Sequence, residues 1–120
     1  MRAAIAAFVI AVTPAAARAD RDALIFEASL EAAFIGTVLL DWQQTRWALA
    51  NGHYERNPIL GKYPSRAKVN AAAFGAIAAH GAISYLTPRR YRWMWQYVTF
   101  VAEGGVVLQN SFEVGFHFRF

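Results

Sequence analysis

Asp41 to Ser65, DWQQTRWALANGHYERNPILGKYPS, is the one long polar, turn-rich stretch of the chain, and apolar runs flank it on both sides. Asn51-Gly52 reads as a helix stop, because both residues tolerate the left-handed backbone that ends helices. Ser65 reads as a helix start, because its hydroxyl can cap the free N–H groups of a first turn. The stretch is therefore a loop between two helices. Upstream, good helix formers run from Ala23 with no Pro or Gly until Gly36, which predicts a first helix at about 23–50. Downstream, a second helix is expected at 66–86. Thr87-Pro88 should end it and open a third, since proline cannot continue a helix but suits a first turn, with Thr87 as the cap. That third helix is expected at about 89–109, with Gly104-Gly105 as its weak point. The short turn makes helices two and three antiparallel neighbours.

The composition places these helices in a membrane. Hydrophobic residues make up 57% of 120 residues and charged residues 17%, against roughly 45–50% and about 25% in soluble domains. So small a chain is one domain, and a small soluble core cannot hide that much apolar surface. Val69 to Leu86 carries no Asp, Glu, Lys or Arg and is rich in Ala and Gly, a composition that lets helices approach closely in lipid. The uninterrupted apolar part of the first helix, Ala32 to Leu40, is short beside the ~20 residues a span needs, which ranks it the weakest span of the three. Tyr85, Tyr91, Trp93 and Trp95 gather at one end of the apolar runs, and Trp42, Trp47, Tyr54 and Tyr63 at the other. This pattern resembles two interfacial aromatic belts.

Residues 1–19 read as a secretory signal. Met1-Arg2 is a basic start, Ala3 to Val12 is apolar, Pro14 should break the helix, and Ala17-Arg18-Ala19 fits a cleavage site before Asp20. An uncleaved anchor helix is the alternative. In the tail, Phe112, Val114, Phe116, Phe118 and Phe120 alternate with Glu113, Gly115, His117 and Arg119, and period two implies an extended segment. The expected fold is all-α: a membrane three-helix bundle over 20–120 after an N-terminal signal peptide, with a short extended C-terminal tail.

Each helix also carries a polar stripe. At 100° per residue Glu27, Glu31, Asp41 and Thr45 share a sector of the first helix, with Thr37 and Gln44 at its edge. Asn70, His80 and Ser84 share a face of the second, and Gln96, Thr99, Glu103 and Asn110 one of the third. Ionisable groups facing hydrocarbon cost several kcal/mol, so the stripes should turn inward as a polar seam. Glu103 and His80 are expected to meet near the bundle centre, with Glu31 or Asp41 nearby. Such a cluster is either a set of interhelical hydrogen bonds or a proton-handling or catalytic site, for which Asp41, Glu55, His80 and Glu103 are the candidates.

The chain has no cysteine, which excludes disulfides, thiolate ligands and Cys nucleophiles. With three His and no HxxxH or HExxH spacing, no metal site is assigned, and no cofactor is expected. Gly104-Gly105 lacks the strand–turn–helix setting of a dinucleotide loop, and there is no GxSxG elbow. The net charge of +4 sits beside apolar runs, as in Arg89-Arg90-Tyr91-Arg92-Trp93, which suits lipid head groups rather than nucleic acid.

Asp41-x3-Thr45 followed by Gly52-x2-Glu55-x-Asn57-Pro58 resembles the D-x3-T…G-x2-E-x-N-P pattern of small bacterial membrane proteins of the DUF5658-like group. The resemblance implies a membrane location and an ordered loop, and it carries no activity. Physically, Asp41 and Thr45 lie one turn apart, Glu55 and Asn57 can bond loop backbone, and Pro58 stiffens the turn. The expected location is the bacterial inner membrane with the Asp41–Ser65 loop inside, where Arg46, Arg56, Lys62, Arg66 and Lys68 obey the positive-inside rule and three arginines at 87–92 violate it. The expected function is a non-enzymatic accessory or interaction protein, with lipids and a protein partner or a second copy as contacts. A lipid-modifying enzyme using the carboxylate/His cluster and an oligomeric proton or ion conductor are the alternatives.

Overall fold

A computed structural model describes residues 2–115, with side chains from Arg18 to Gly115. Three helices make up the described chain: α1 (Arg2–Ala50), α2 (Arg66–Leu86) and α3 (Arg89–Val114), with no strand among the described residues. The all-α expectation holds. Two of its boundaries do not.

The first difference is that α1 runs unbroken from Arg2 through Pro14, where the sequence reading placed a break and a start at Ala23. A mid-helix proline loses one backbone hydrogen bond, at a cost of about 3 kcal/mol. The alanine-rich flanks favour helix strongly enough to carry on across it. The second difference is that α3 continues through Gly104-Gly105 and takes in Phe112, Glu113 and Val114, the start of the expected extended tail. An alternating pattern has no ladder to join where the described residues hold no strand, so the backbone keeps its helical bonds, down to Gly115 N–H donating to Ser111 O at 3.0 Å. Gly115, at φ 77°, ends the helix; Phe116 to Phe120 lie outside the described residues.

The helix ends around the loop follow from their residues. At the end of α1, Gly52 N–H donates to Leu49 O and His53 N–H to Ala48 O, with Gly52 at φ 82°, the paired closing bonds of a left-handed glycine stop. Ser65 caps α2, its hydroxyl accepting from Lys68 N–H. Thr87, expected to cap α3, instead finishes α2: its N–H and its hydroxyl both donate to Ile83 O. Pro88 stands at the start of α3 with no side-chain cap, so Thr87 is one residue too early to serve.

The packing is centred on α1, which contacts both other helices and α3 most extensively, while α2 and α3 touch each other least. The α2–α3 turn therefore joins two helices that meet mainly through α1. Buried apolar side chains are few (Phe34, Val38, Val69 and Val107), whereas Glu27, Gln44, Thr45, His80, Ser84 and Gln96 are all buried. Large apolar side chains such as Leu24, Phe26, Phe74, Val98 and Leu108 face outward, each more than half exposed. Among the described residues two helices, Arg18–Ala50 and Arg66–Leu86, are long and apolar enough to cross a membrane, with mean hydropathies of 1.8 and 1.3. This reverses the expected ranking: α1 is the more apolar because Ile, Leu, Phe and Val outweigh Glu27 and Glu31.

Replacing Gly52 with Ala puts a Cβ on left-handed backbone and should destabilise the fold by about 1 kcal/mol. Gly36→Ala, in a helix with open space around it, should be stabilising by up to about 1 kcal/mol. Thermal unfolding followed by circular dichroism checks both signs.

Candidate functional site

The three stripes do turn inward: none of Glu27, Glu31, Asp41, Thr45, Asn70, His80, Ser84, Gln96, Thr99, Glu103 or Asn110 is exposed. They assemble in three groups along the bundle rather than one.

At the α2–α3 turn, Arg92 reaches back across the helix ends. Its Nε donates to Ser84 O at 2.6 Å, its terminal nitrogens to Tyr85 O and Thr87 O, and Nη1 lies 3.4 Å from Glu27 Oε2. One guanidinium thus satisfies carbonyls that the end of α2 leaves open and neutralises a buried carboxylate. Arg92 read in sequence as a head-group anchor. Its inward turn is visible only once Glu27 and the end of α2 are beside it.

The middle group centres on Glu31. Oε1 lies 2.8 Å from His80 Nδ1, and Oε2 accepts from Ser84 at 3.1 Å and from Gln96 at 3.0 Å. His80, 3% exposed, stacks on Phe34 at a centroid distance of 3.7 Å and faces Trp95 at 5.3 Å on its other side. Its Nε2 lies 2.7 Å from Thr99 Oγ1, which is also 2.7 Å from Trp95 O. Thr99 has a single hydroxyl hydrogen, so two arrangements fit these positions. Either it donates to a neutral ring whose Nδ1–H donates to Glu31, or it donates to Trp95 O and accepts from a charged ring that donates at both nitrogens. One proton separates the two. Gln96 Oε1 and Trp95 Nε1 are buried without a hydrogen-bond partner among the described residues.

The third group lies towards the loop. Asn110 donates to Asp41 Oδ1 at 2.7 Å, Gln44 to Ser111 Oγ at 2.8 Å, and Trp42 Nε1 to Asn70 Oδ1 at 2.8 Å. Asp41 and Glu103 line one cavity of about 150 Å³, walled by Val69, Ala72, Ala73 and Ala76 of α2. The expected meeting of Glu103 with His80 is not made. Glu103 sits one turn beyond Thr99 on α3, which carries it past the ring and beside Asp41 instead. Asn70 likewise pairs with Trp42 rather than joining His80. Trp42 and Trp95 both turn inward, leaving Tyr85, Tyr91 and Trp93 exposed at one end and Tyr54 and Tyr63 at the other.

The loop residues hold the loop itself. Glu55 Oε1 accepts from the N–H groups of Arg56 and Asn57, and Asn57 Oδ1 accepts from Ile59 N–H. Asn57 O closes a turn with Leu60 N–H across Pro58, where a fixed φ lowers the entropy cost. Arg56 then pairs with Glu113 of α3 at 2.6 Å, bringing the loop back over the helix ends. Beneath it lies a cavity of about 320 Å³ lined by Gln44, Thr45, His53, Tyr54 and Asn110 among others.

Glu31→Leu removes the acceptor of three donors in one step and should cost about 3 kcal/mol or more. Arg92→Met strands Glu27 and should cost about 3 kcal/mol, while Thr37→Val, which loses only a bond to Phe34 O, should cost well under about 1 kcal/mol. Unfolding midpoints in one detergent check the order. Compared with protein-family models, curated proteins and solved structures, the chain matches none.

Proposed function

We propose that the chain is a small integral protein of the bacterial inner membrane, delivered by an N-terminal signal over 1–19. In this reading it acts without catalysis, as an accessory or interaction protein for a membrane partner or a second copy. The observation that carries the membrane reading is the inverted burial among the described residues: six polar side chains inside against four apolar ones, with large apolar side chains outside. In water such a surface would be an aggregation hazard. In hydrocarbon it is the stable arrangement, because lipid offers apolar side chains nothing worse than the core does. The charge distribution supports a cytoplasmic loop. Of the three arginines that break the positive-inside pattern at the other end, Arg92 is occupied by Glu27 and backbone carbonyls, and Arg89 lies 3.5 Å from Asp20.

One observation favours the lipid-modifying alternative. Glu31, His80 and Thr99 stand in the order carboxylate, imidazole, hydroxyl, with 2.8 and 2.7 Å between neighbours, the spacing by which a base activates a hydroxyl nucleophile. The accessory reading is stronger because the ring is closed between Phe34 and Trp95, and neither the 150 nor the 320 Å³ cavity is lined by His80 or Thr99.

The absence of cysteine makes a clean test possible. Single replacements Lys62→Cys and Arg90→Cys, labelled in intact cells and in inverted vesicles with a membrane-impermeant maleimide, should react from opposite sides. Release of the protein by alkaline carbonate, or labelling of both sites from one side, would overturn the spanning reading. Crosslinking in native membranes should give one defined adduct, and its loss on purification to a stable monomer would count against the interaction role.

A further inference from the structure

From the third polar group we infer that Asp41, Thr45 and Glu103 form a binding site for a small hard cation. Two carboxylates from different helices line one cavity of about 150 Å³, and no Lys, Arg or His lines it with them. Asp41 has Asn110 as a hydrogen-bond donor at 2.7 Å, whereas Glu103 makes no hydrogen bond or ion pair among the described residues. Thr45 supplies the independent observation. It is 8% exposed and lines the same cavity, yet its hydroxyl bonds neither to protein side chains nor to its own helix among the described residues. A buried helical threonine ordinarily donates to a carbonyl one turn back, as Thr37 does here to Phe34 O. Thr45 makes no such bond among the described residues, which leaves its hydroxyl available at the wall of the cavity.

The donor set defines the ligand. Carboxylate and hydroxyl oxygens without sulfur or imidazole suit alkali and alkaline-earth ions. Two carboxylates inside apolar walls repel when both are charged, and either a bound proton or a metal cation relieves them. The volume exceeds the ~30 Å³ of one water several-fold, and no three acidic or His side chains among the described residues converge to chelate a metal. The ion therefore keeps part of its water shell, as Na⁺ and Mg²⁺ do readily. Thr45 also lines the 320 Å³ cavity beneath the loop, which places the route from solvent on the loop side. Asn110, lining that cavity while bonded to Asp41, orients the carboxylate. The site does not depend on the bundle crossing a bilayer.

The test uses full-length protein in lipid nanodiscs, held in choline chloride at constant ionic strength and titrated separately with NaCl, MgCl₂ and CaCl₂. The thermal midpoint should rise saturably with at least one of these salts and not with choline. Asp41→Asn and Glu103→Gln should each weaken the apparent affinity by about tenfold or more, Thr45→Val by less. Ser29→Ala, about three turns away on α1, should leave it unchanged. A response to Na⁺ alone assigns a monovalent ion and a response to Mg²⁺ or Ca²⁺ alone a divalent one, and either supports the site. A midpoint that moves with pH but with no cation overturns it, as does an unchanged cation response in Glu103→Gln. Should Asp41→Asn fail to fold, Glu103→Gln decides, because Glu103 holds no bond whose loss would unfold the bundle.

Discussion

One carboxylate holds the middle of this protein together. Glu31 takes donors from His80 and Ser84 of α2 and from Gln96 of α3, so a single side chain on α1 addresses both other helices at the same level. A charge taken out of water is costly unless it is paired and bonded, and these partners meet that requirement only when all three helices are in register. The register is consequently specified by the polar atoms. Apolar packing alone could not do it: α2 presents mostly Ala and Gly, which allow close approach but offer little shape to lock, and α2 and α3 barely meet except through α1.

The two ends of the bundle are finished differently. At the α2–α3 turn Arg92 fills the space, satisfying three carbonyls and Glu27 together. Beside these bonds lies an open cavity of about 590 Å³ lined by Asp20, Phe26, Glu27, Arg89, Arg90 and Trp93. At the other end the Glu55–Asn57–Pro58 loop is self-supporting, its side chains spent on its own backbone, and it is tied down by Arg56–Glu113. The space it roofs contains two cavities, of about 320 and 150 Å³, and Gln44 Oε1, buried without a hydrogen-bond partner among the described residues.

The polar groups also differ in how finished they are. In the Glu31–His80–Thr99 group both carboxylate oxygens are bonded and the ring is covered on both faces, which marks it as a structural node. The Asp41–Thr45–Glu103 group is left open. Two carboxylates lining one cavity repel when both are charged, and a fold tolerates them most readily where a proton or a bound cation offsets that charge.

Periodicity in the sequence was enough to determine that the chain is helical, where the loop lies, how Gly52 and Ser65 bound it, and which residues turn inward, because caps and a 3.6-residue repeat are local properties. The loop was legible too, since Glu55, Asn57 and Pro58 act on backbone within a few residues of themselves. The start of the alternating Phe pattern, Phe112 to Val114, and Pro14 misled for the same local reason: each states a preference that neighbouring turns of helix can outweigh. Only the tertiary structure decided which inward residues meet. Helical phase says that His80 and Glu103 share the seam, but the rise along each axis and the depth at which α3 docks on α1 decide that Thr99 reaches the ring while Glu103 reaches Asp41. Arg92 was likewise beyond sequence reading, because its partners lie on α1 and at the end of α2, and nothing in its own surroundings along the chain distinguishes a guanidinium turned inward from one turned to water.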